Sequence, residues 1–339
     1  MHIETTVLIP NFNGKSHLPE CLSSLLGQVY KKFKVVLIDD CSIDGSIDYV
    51  RKYFPQVKII SFRKNLGFAK AINYGIKYSI KKYQVKYIAP LNNDVKVDKN
   101  WLRYLVKAIE SEKNVVAVAS NMLSYYDHDL VDSHGGTSTI TGEGYDINKL
   151  KRLDEVSFPK YVLSCCFGAA LLKSRALKKI GLLDERYFSY HEDLDWGWRA
   201  NLFGHKIIFE KKAIVYHKGG ASWKNQLFRK KYLCKRNSLC TMIKNYELKS
   251  IIKIFPRVFL DYFIFFPIGY LINRKLAGFK LVPLFKYDFR FCQRFKHIFI
   301  PLRCFVWNLK NLDETLRLRR KVQLRRKVDD LEIIKMFIK

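Results

Sequence analysis

The sequence predicts an α/β fold, in which a mostly parallel sheet is flanked by helices. Two observations support this prediction. Short apolar runs alternate with helical patterns along the first 120 residues, and polar residues follow several of these runs directly. Apolar runs between turn-forming residues are typical of buried strands, and strands that alternate with helices form a parallel sheet. With 339 residues, of which 48% are hydrophobic, the chain is long enough to bury the core of such a fold.

The apolar runs predict five strands in the first part of the chain. They lie at residues 6–10, 34–38, 57–60, 87–91 and 115–119. After the first strand, apolar residues recur at helical spacing at Leu18, Cys21, Leu22, Leu25 and Leu26. A turn and cap at 42–46 begin the next helix, and residues 65–68 open a third helix that extends to the region of Ser79. This architecture is of a nucleotide-binding type, although the fold alone does not determine the function.

Polar side chains gather where three of the predicted strands end. Residues 10–13 follow the first strand, residues 39–40 the second, and residues 92–94 the fourth. Ligands of open α/β sheets bind over the carboxyl ends of the strands, so we expect a ligand site there, with Asp40 accepting hydrogen bonds from a base or a ribose. The sequence has no G-x-G-x-x-G after the first strand and no G-x-x-x-x-G-K-[ST], which argues against dinucleotide-binding and P-loop proteins.

Two acidic or amide-rich groups have both a functional and a structural interpretation. The oxygens of residues 92–94 are ligands that Mg²⁺ and Mn²⁺ bind together with substrate phosphates, but the same residues also form turns and cap helices. Glu192, Asp193 and Asp195 stand at a predicted helix start, where the helix dipole favours carboxylates. A catalytic base beside a bound cation is the functional interpretation of this second group.

His217 and a glycine-containing segment extend the candidate site. His217 ends a predicted strand at 213–217, where it is either a metal ligand or a half-buried structural histidine. Between residues 120 and 160, glycines at 135, 136, 142 and 144 predict a loop, which either closes over a substrate or is solvated without a function. Gly168 interrupts an apolar run at 161–173 and permits the close approach of a backbone or a ligand.

The charge of the chain is unevenly distributed. The formal net charge is +30, and residues 218–339 hold +21 of it, with 29 Lys/Arg against 8 Asp/Glu. A basic region of this kind is typical of proteins that bind anionic lipid or nucleic acid. Eight cysteines without a C-x-x-C pair predict reduced thiols in the cytoplasm, and we expect no signal peptide. The predicted domains are 1–245 and a helical, basic, membrane-associating region at 246–339.

Two segments of the basic region predict contact with a membrane surface. Residues 258–272 are strongly apolar, but Asp261 and Pro267 interrupt them, and they are shorter than the roughly 20 residues of a spanning helix. We therefore expect an in-plane or re-entrant contact, with an ordinary buried helix as the alternative. Residues 316–328 carry seven basic side chains, which suit anionic lipid; nucleic acid is the rival partner, but no motif for it occurs.

Six motifs occur in order along the chain. They are Pro10-x-x-Asn13, Asp39-Asp40-x-Ser42-x-Asp44-Gly45-Ser46, Asn65-x-Gly67, Leu91-Asn92-Asn93-Asp94, Glu192-Asp193-x-Asp195 and Val215-Tyr216-His217. Each motif is weak by itself, but the ordered set, over roughly residues 5–245, resembles the family 2 glycosyltransferases, which are inverting enzymes of the GT-A fold. Within that family the chain is most similar to the rhamnosyltransferase-type members of bacterial polysaccharide assembly.

The resemblance implies roles for individual residues. Those expected to bind the nucleotide sugar are Pro10, Asn13, Asp40, Asn65, Asn92 and Asn93. Asp94 is the expected metal-binding carboxylate and His217 completes the metal site, whereas Asn92 replaces the first aspartate of the family's D-x-D motif. Asp193 is the expected general base, and Glu192 and Trp196 are expected to contact the acceptor or the sugar. The implied cofactor is Mg²⁺ or Mn²⁺.

The resemblance also implies a function. We expect an inverting, metal-dependent transferase that moves a sugar, with rhamnose preferred, from a dTDP- or UDP-linked donor to a lipid-linked glycan or polysaccharide acceptor. Such an enzyme is expected at the cytoplasmic face of the cell membrane, bound peripherally to its anionic surface, with no nucleic acid as a partner. The alternative is a non-catalytic protein that binds membrane or nucleic acid through its basic tail.

Overall fold

A nine-stranded sheet forms the centre of the protein. The computed structural model describes residues 3–219, 227–265 and 299–338. The strands of these ranges are β1 (Thr5–Asn11), β2 (Phe33–Asp39), β3 (Lys58–Ser61), β4 (Tyr87–Pro90), β5 (Val95–Val97), β6 (Val115–Ser124), β7 (Val131–Ser133), β8 (Gly136–Ser138), β9 (Gly144–Asp146), β10 (Ala170–Lys173) and β11 (Lys206–His217). The five predicted strands are therefore present, and β8 and β9 form a separate hairpin.

Helices cover both faces of the sheet. They are α1 (Leu18–Leu26), α2 (Ser46–Tyr53), α3 (Phe68–Tyr83), α4 (Trp101–Ile109), α5 (Ser174–Ile180), α6 (Glu192–Leu202), α7 (Leu227–Asn245), α8 (Leu248–Leu260), α9 (Ile300–Lys310), α10 (Leu312–Gln323) and α11 (Asp330–Phe337). A π-helical turn at Asp261–Phe265 continues α8, and a 3₁₀ turn at Glu185–Tyr187 precedes α6. The predicted α/β class is confirmed.

The sheet is mixed, but most of its strands run in one direction, as the predicted mostly parallel sheet requires. Its strands follow the order β3-β2-β1-β4-β10-β6-β11-β5, with β7 paired to β6. The strands β1 to β4 run parallel, as do β6 and β11, but β10 is antiparallel to both of its neighbours and β5 is antiparallel to β11. A parallel neighbour requires a long crossover, usually a helix, and residues 125–169 before β10 contain no α-helix.

Side chains that alternate along β1 divide the core into two layers. Val7 and Ile9 pack in one layer with residues of α1 and α4, whereas Leu8 packs in the other with residues of α3 and α6. This period-two pattern is typical of a strand that is buried on both faces. The two layers hold the carboxyl ends of β1, β2 and β4 together at one edge of the sheet.

The C-terminal helices pack on the body of the protein. Ile254 of α8, Ile300 of α9 and Val322 of α10 are buried in the same layer as α6 and α7. Within the three described ranges, no helix is both long and apolar enough to cross a bilayer. The apolar segment predicted at 258–272 is described as far as residue 265, and its remainder lies outside the described residues. The division of the chain at residue 246 stays a prediction.

Two arginines of the predicted lipid-binding cluster bind the protein itself. Arg319 and Arg326 are both half-buried, and each donates hydrogen bonds to carbonyl oxygens at the carboxyl end of α7 or directly after it. Arg326 also binds the carboxylate of Asp330 at 2.8 Å. These contacts correct the expectation for these two side chains, because a guanidinium group that satisfies a helix terminus is not free to bind a lipid head group.

Candidate functional site

A cavity of about 530 Å³ lies over the carboxyl ends of β1 and β4. The predicted site residues that line it are Pro10, Asp40, Asn65, Asn92, Asn93, Asp94, Glu192, Asp193 and His217. Two predicted residues, Asn13 and Trp196, are not part of the lining. Residues at 136–137 and 144–146, from the predicted glycine-containing loop, also line the cavity, and they belong to the β8–β9 hairpin.

A chain of buried amides orients the end of β4. Asn93 Nδ2 donates to Asn11 Oδ1 at 2.7 Å, and Asn11 Nδ2 donates to Asp39 Oδ1 at 3.0 Å. Gly14 makes room for this contact, since a Cβ atom there would lie 2.1 Å from Asn93 Nδ2. Asn11 lies within the polar stretch 10–13 predicted at this strand end, but no motif gives it a role of its own.

Asp40 holds the loop that precedes α3. Its Oδ1 accepts a hydrogen bond from the backbone of Leu66 at 2.7 Å, and its Oδ2 accepts one from Gly67 at 2.8 Å. Burial raises the pKa of Asp40, and the two backbone donors oppose this effect. Asn65 Oδ1 also accepts from Gly67. Asp40 therefore lines the cavity and shapes the loop beside it at the same time.

Asn13 and Trp196 have positions that differ from those expected. Asn13 has a left-handed φ of 51°, and its Oδ1 accepts from the backbone of Ile43 at 2.9 Å, so it joins two loops outside the cavity. The indole of Trp196 is fully buried and its Nε1 donates to the carbonyl of Gly181 at 3.0 Å. The expected sugar contact of Trp196 is corrected by this burial, because no face of the ring is exposed to the cavity.

Asp94, His217 and Asp132 meet at one side of the cavity. The pairing of β11 with β5 places His217 opposite Val95, the residue after Asp94. His217 Nε2 lies 3.3 Å from Asp94 Oδ1, and His217 Nδ1 lies 2.7 Å from Asp132 Oδ2. Burial lowers the pKa of His217, but the hydrogen bonds to Asp132 and Asp94 outweigh it and raise the pKa to about 10. The two predicted metal ligands are thus brought together, with Asp132 as a third partner that no motif indicates.

The facing atoms of Asp94 and His217 fit a divalent cation. Their separation of 3.3 Å is close to the roughly 3 Å between neighbouring ligands of an octahedral ion bound at about 2.1 Å. Among the residues that the structure describes, no group of three or more His, Cys, Asp or Glu side chains is arranged around a metal position. Asp94 and His217 together offer two ligands, which suits an ion whose remaining ligands are substrate phosphates and water.

Asp193 and Glu192 face the cavity from the first turn of α6. Asp193 Oδ1 accepts from the backbone of Leu194 at 2.7 Å, and its Oδ2 accepts from that of Phe167 at 3.4 Å. Burial raises the pKa of Asp193 to about 6. Burial and the charge of Asp193 raise the pKa of Glu192 much further, and Glu192 Oε2 has no hydrogen-bond partner among the described residues. The environment thus disfavours the charged form of Glu192, whereas a pKa of about 6 leaves Asp193 ionised at neutral pH.

Solved structures confirm the GT-A fold. The chain superposes on a mannosyltransferase of Pyrobaculum calidifontis in complex with GDP-Man and Mn²⁺ with a TM-score of 0.55, 14% identity, and coverage of 91% of this chain and 88% of that one. It superposes on GalNAc-T7 with UDP, GalNAc and Mn²⁺ with a TM-score of 0.58, 15% identity, and coverage of 91% and 57%. Likeness at this level of identity shows the fold alone.

Sequence comparison identifies more closely related proteins. An uncharacterized glycosyltransferase of Rickettsia typhi is 26% identical over 215 residues, which are 62% of this chain and 62% of the relative. A poly-β-1,6-N-acetyl-D-glucosamine synthase of Staphylococcus epidermidis is 24% identical over 211 residues, which are 62% of this chain and 48% of the relative. The chain thus spans less than two thirds of the length of these two relatives.

A family model matches the first part of the chain. The model, described as glycosyl transferase family 2, covers residues 6–181, which is more than half of the sequence. The matched region begins at β1 and ends directly after α5, so it contains the strand ends that carry Asp40 and Asp94. The motif-based resemblance agrees with this match, and the chain belongs to glycosyl transferase family 2.

Proposed function

We propose that the protein is an inverting glycosyltransferase that uses a nucleoside-diphosphate sugar and a divalent cation. One observation carries this proposal: Asp193 faces the same cavity as the Asp94–His217 pair, although three distant segments of the chain supply them. A base and a cation-binding pair in one cavity are what a direct displacement at a sugar carbon requires. The alternative of a non-catalytic binding protein gives no reason for this convergence.

Asp193 acts as the general base in this proposal. The acceptor hydroxyl attacks the anomeric carbon from the face opposite the departing nucleotide, and the carboxylate of Asp193 takes its proton. The new glycosidic bond forms as the bond to the diphosphate oxygen breaks, so the configuration inverts without a covalent intermediate. The two backbone donors at Asp193 hold the carboxylate in place for this transfer.

Asp94 and His217 would hold Mg²⁺ or Mn²⁺ in the proposed enzyme. When bound, the cation offsets the negative charge that develops on the departing diphosphate. Asp94 supplies the carboxylate oxygen and His217 supplies Nε2, while Asp132 binds Nδ1 of the same imidazole. Asn92 carries no charge, so the diphosphate itself contributes much of the negative charge that binds the cation.

We infer a dTDP- or UDP-linked donor and a lipid-linked glycan acceptor, with rhamnose as the preferred sugar on the ground of family resemblance. Proteins of the same fold support the donor class, because one is described with GDP-Man and Mn²⁺ and another with UDP, GalNAc and Mn²⁺. The match to a poly-β-1,6-N-acetyl-D-glucosamine synthase supports a polysaccharide-type acceptor. Glu192 lines the same cavity and burial raises its pKa, which supports the proposal that it donates a hydrogen bond to the acceptor.

A thermal-shift screen of nucleotide sugars, followed by a transfer assay, tests the function. We expect dTDP- or UDP-linked sugars to raise the melting temperature in the presence of Mn²⁺ and much less in its absence. The sugar with the largest shift is then tested for transfer to lipid-linked glycans. Failure of every nucleotide sugar to bind, with and without Mn²⁺, would exclude the proposed enzyme and favour the non-catalytic alternative.

The turnover number is expected to fall about tenfold between pH 7 and pH 5. Burial raises the pKa of Asp193 to about 6, and only the ionised carboxylate accepts the acceptor's proton, so the rate is lost as the pH falls through this pKa. The measurement is kcat at saturating donor and acceptor, with circular dichroism at each pH to show that the protein remains folded. A flat profile over this range would assign Asp193 an ordinary aspartate pKa and contradict the expectation.

We also propose that the enzyme docks peripherally on the anionic cytoplasmic face of the cell membrane. Exposed apolar side chains of α8, the π-helical turn and α9 form what we call the apolar face: Ile252, Phe255, Phe259, Phe263, Leu302, Phe305, Val306 and Leu309. The rings of Phe263, in the π-helical turn, and Phe305, on α9, lie 6.1 Å apart. They connect the part of the apolar face on α8 and the π-helical turn to the part on α9. Exposed basic residues at 253, 257, 303 and 310 stand on the same helices. An apolar surface bordered by cations suits the boundary between acyl chains and anionic head groups.

Replacement of Phe255 and Phe259 by serine is expected to weaken binding to anionic vesicles on the order of tenfold, since two aromatic rings no longer bury at the interface. Vesicle co-sedimentation at low and high salt measures this, with neutral lipid for comparison. The full-length chain is used because Ile300 and Val322 are buried against the body. Tyr53→Ser, at an exposed ring on α2, is the matched control. Equal binding of all variants, or no preference for anionic lipid, would contradict the proposal.

A further inference from the structure

The segment that precedes Asp193 has an unusual backbone. Phe188, Tyr190 and His191 have left-handed φ values of 65°, 70° and 66°, and none of them is a glycine. A Cβ atom disfavours this conformation, so such residues persist only where surrounding contacts hold them. Residues 187–191 connect the 3₁₀ turn to α6, and Glu192 and Asp193 follow immediately.

A buried asparagine on α7 holds this segment by its carbonyl oxygens. Asn237 Nδ2 donates to the carbonyl oxygens of Tyr187, Ser189 and Tyr190, at 3.0, 3.0 and 2.7 Å. Asn237 is fully buried. The two N–H groups of one side-chain amide are therefore shared by three carbonyl oxygens, at the end of the 3₁₀ turn and in the irregular stretch that follows it.

Arg236 fixes the orientation of the Asn237 amide. Its Nε donates to Asn237 Oδ1 at 2.9 Å, so the amide nitrogen faces the segment. Its Nη2 donates to the carbonyl oxygens of Arg186 and Tyr187, at 2.9 and 2.8 Å. An aspartate in place of Asn237 would have an oxygen where the amide nitrogen is. This oxygen would face three carbonyl oxygens and have no hydrogen to donate to them, so the contacts would be lost.

The other side of the segment contacts the loop that Asp40 holds. The backbone N–H of Ala69 donates to the carbonyl oxygen of Phe188 at 3.1 Å. A Cβ atom at Gly67 would lie 2.5 Å from Phe188 Cδ2 and 2.6 Å from its carbonyl oxygen, so the approach requires glycine. The segment is thus held between this loop and α7, and it leads directly into the first turn of α6.

We propose that Asn237, oriented by Arg236, is a positioning residue that holds residues 187–190 and thereby sets the carboxylate of Asp193 in the cavity. The first turn of α6 begins on this segment, since the carbonyl oxygen of His191 accepts from the backbone of Asp195 at 2.9 Å. A shift of the segment therefore moves Asp193. The catalytic consequence rests on the proposed function, whereas the structural part does not.

Hydrogen–deuterium exchange without substrate tests the structural part. In Asn237→Ala and Asn237→Asp we expect amides of residues 186–196 to exchange at least about tenfold faster than in the wild-type protein. Asn121→Ala is the matched control, because Asn121 is buried on β6 and its Nδ2 donates to the carbonyl oxygen of Lys211, away from the segment and from Arg236. Unchanged protection at 186–196, or the same loss in the control, would overturn the proposal. Arg236→Lys, which keeps the charge but loses Nε, replaces either variant that does not fold.

Kinetics with the donor found in the screen test the catalytic part. A displaced base costs turnover more than affinity, so we expect kcat to fall about 10²-fold in Asn237→Ala and Asn237→Asp while KM for the donor changes less than about threefold. The acid limb of the kcat profile should also move toward lower pH, as Asp193 becomes more solvated. Loss of protection with unchanged kcat would overturn the positioning role. If the wild-type protein had no transferase activity, the proposed function would be wrong. The structural part of the proposal would then be judged from the exchange measurement alone.

Discussion

Replacement of Asp193 by asparagine is expected to lower kcat by at least ~10²-fold, the range for a lost general base, while donor binding is retained. The amide keeps the size of the side chain and one oxygen, which can still accept from the backbone N–H of Leu194, while the longer contact from Phe167 to the other oxygen is lost. It cannot take the proton of the acceptor hydroxyl. The loss should therefore be visible in turnover at saturating donor and absent from the melting-temperature shift that the nucleotide sugar produces.

A matched control separates this effect from damage to a helix terminus. Asp329 also stands at a helix start, where its Oδ1 accepts from the backbone of Glu332 at 2.8 Å, but it caps α11 and lies outside the cavity lining. Asp329→Asn should transfer sugar at the wild-type rate. Transfer by Asp193→Asn at a rate near that of the wild-type protein would remove Asp193 from the mechanism.

Replacement of Asp94 or of His217 by alanine is expected to weaken Mn²⁺-dependent donor binding by about 100-fold or more. Loss of a group that only supports a metal ligand already costs roughly 10–100-fold in metal affinity, so loss of a ligand should cost at least as much. The facing atoms of the two side chains are 3.3 Å apart, so the loss of either one removes one of the two ligands proposed for the cation. Titration calorimetry with the nucleotide sugar, at several Mn²⁺ concentrations, measures the change.

Asp94→Ala and His217→Ala should lose Mn²⁺-dependent donor binding to a similar extent, whereas replacement of a control histidine should leave it unchanged. His205→Ala is the control, since His205 lies directly after α6 and outside the cavity lining. If Asp94→Ala and His217→Ala bound the donor normally, with the same Mn²⁺ dependence as the wild-type protein, the assignment of the metal ligands would be wrong. If only one of them lost Mn²⁺-dependent binding, the other residue would be no ligand.

The sequence was sufficient to predict the part of the site that lies at strand ends. Apolar runs identify β1, β2 and β4, and parallel strands of one sheet present their carboxyl ends at one edge, so Asp40 and Asp94 could be placed together. The same argument places His217 at the site, because it is the last residue of a predicted strand. Its contact with Asp94 depends on β5, a three-residue strand too short to give a pattern of its own.

Residues that act through distant pairings could not be predicted in this way. Asp132 binds His217 across 85 positions of sequence and Asn237 binds Tyr190 across 47, and neither stands in a motif or at a predicted strand end. The error at Trp196 has a different cause: an aromatic residue beside acidic ones suits both a sugar surface and a core. Only the structure, in which Trp196 is fully buried on the inner side of α6, shows that it belongs to the core.

The strand β10 limits the order in which the chain can fold as it is synthesised. Leu172 of β10 pairs with Ile88 of β4 on one side and with Ala117 of β6 on the other, so these two earlier strands stay unpaired there until residue 173 has left the ribosome. Open strand edges invite pairing with other chains, and pairings between distant residues form slowly. We therefore expect the nascent chain to depend on chaperones until β10 inserts, and the shortest piece that folds alone to extend past Lys173.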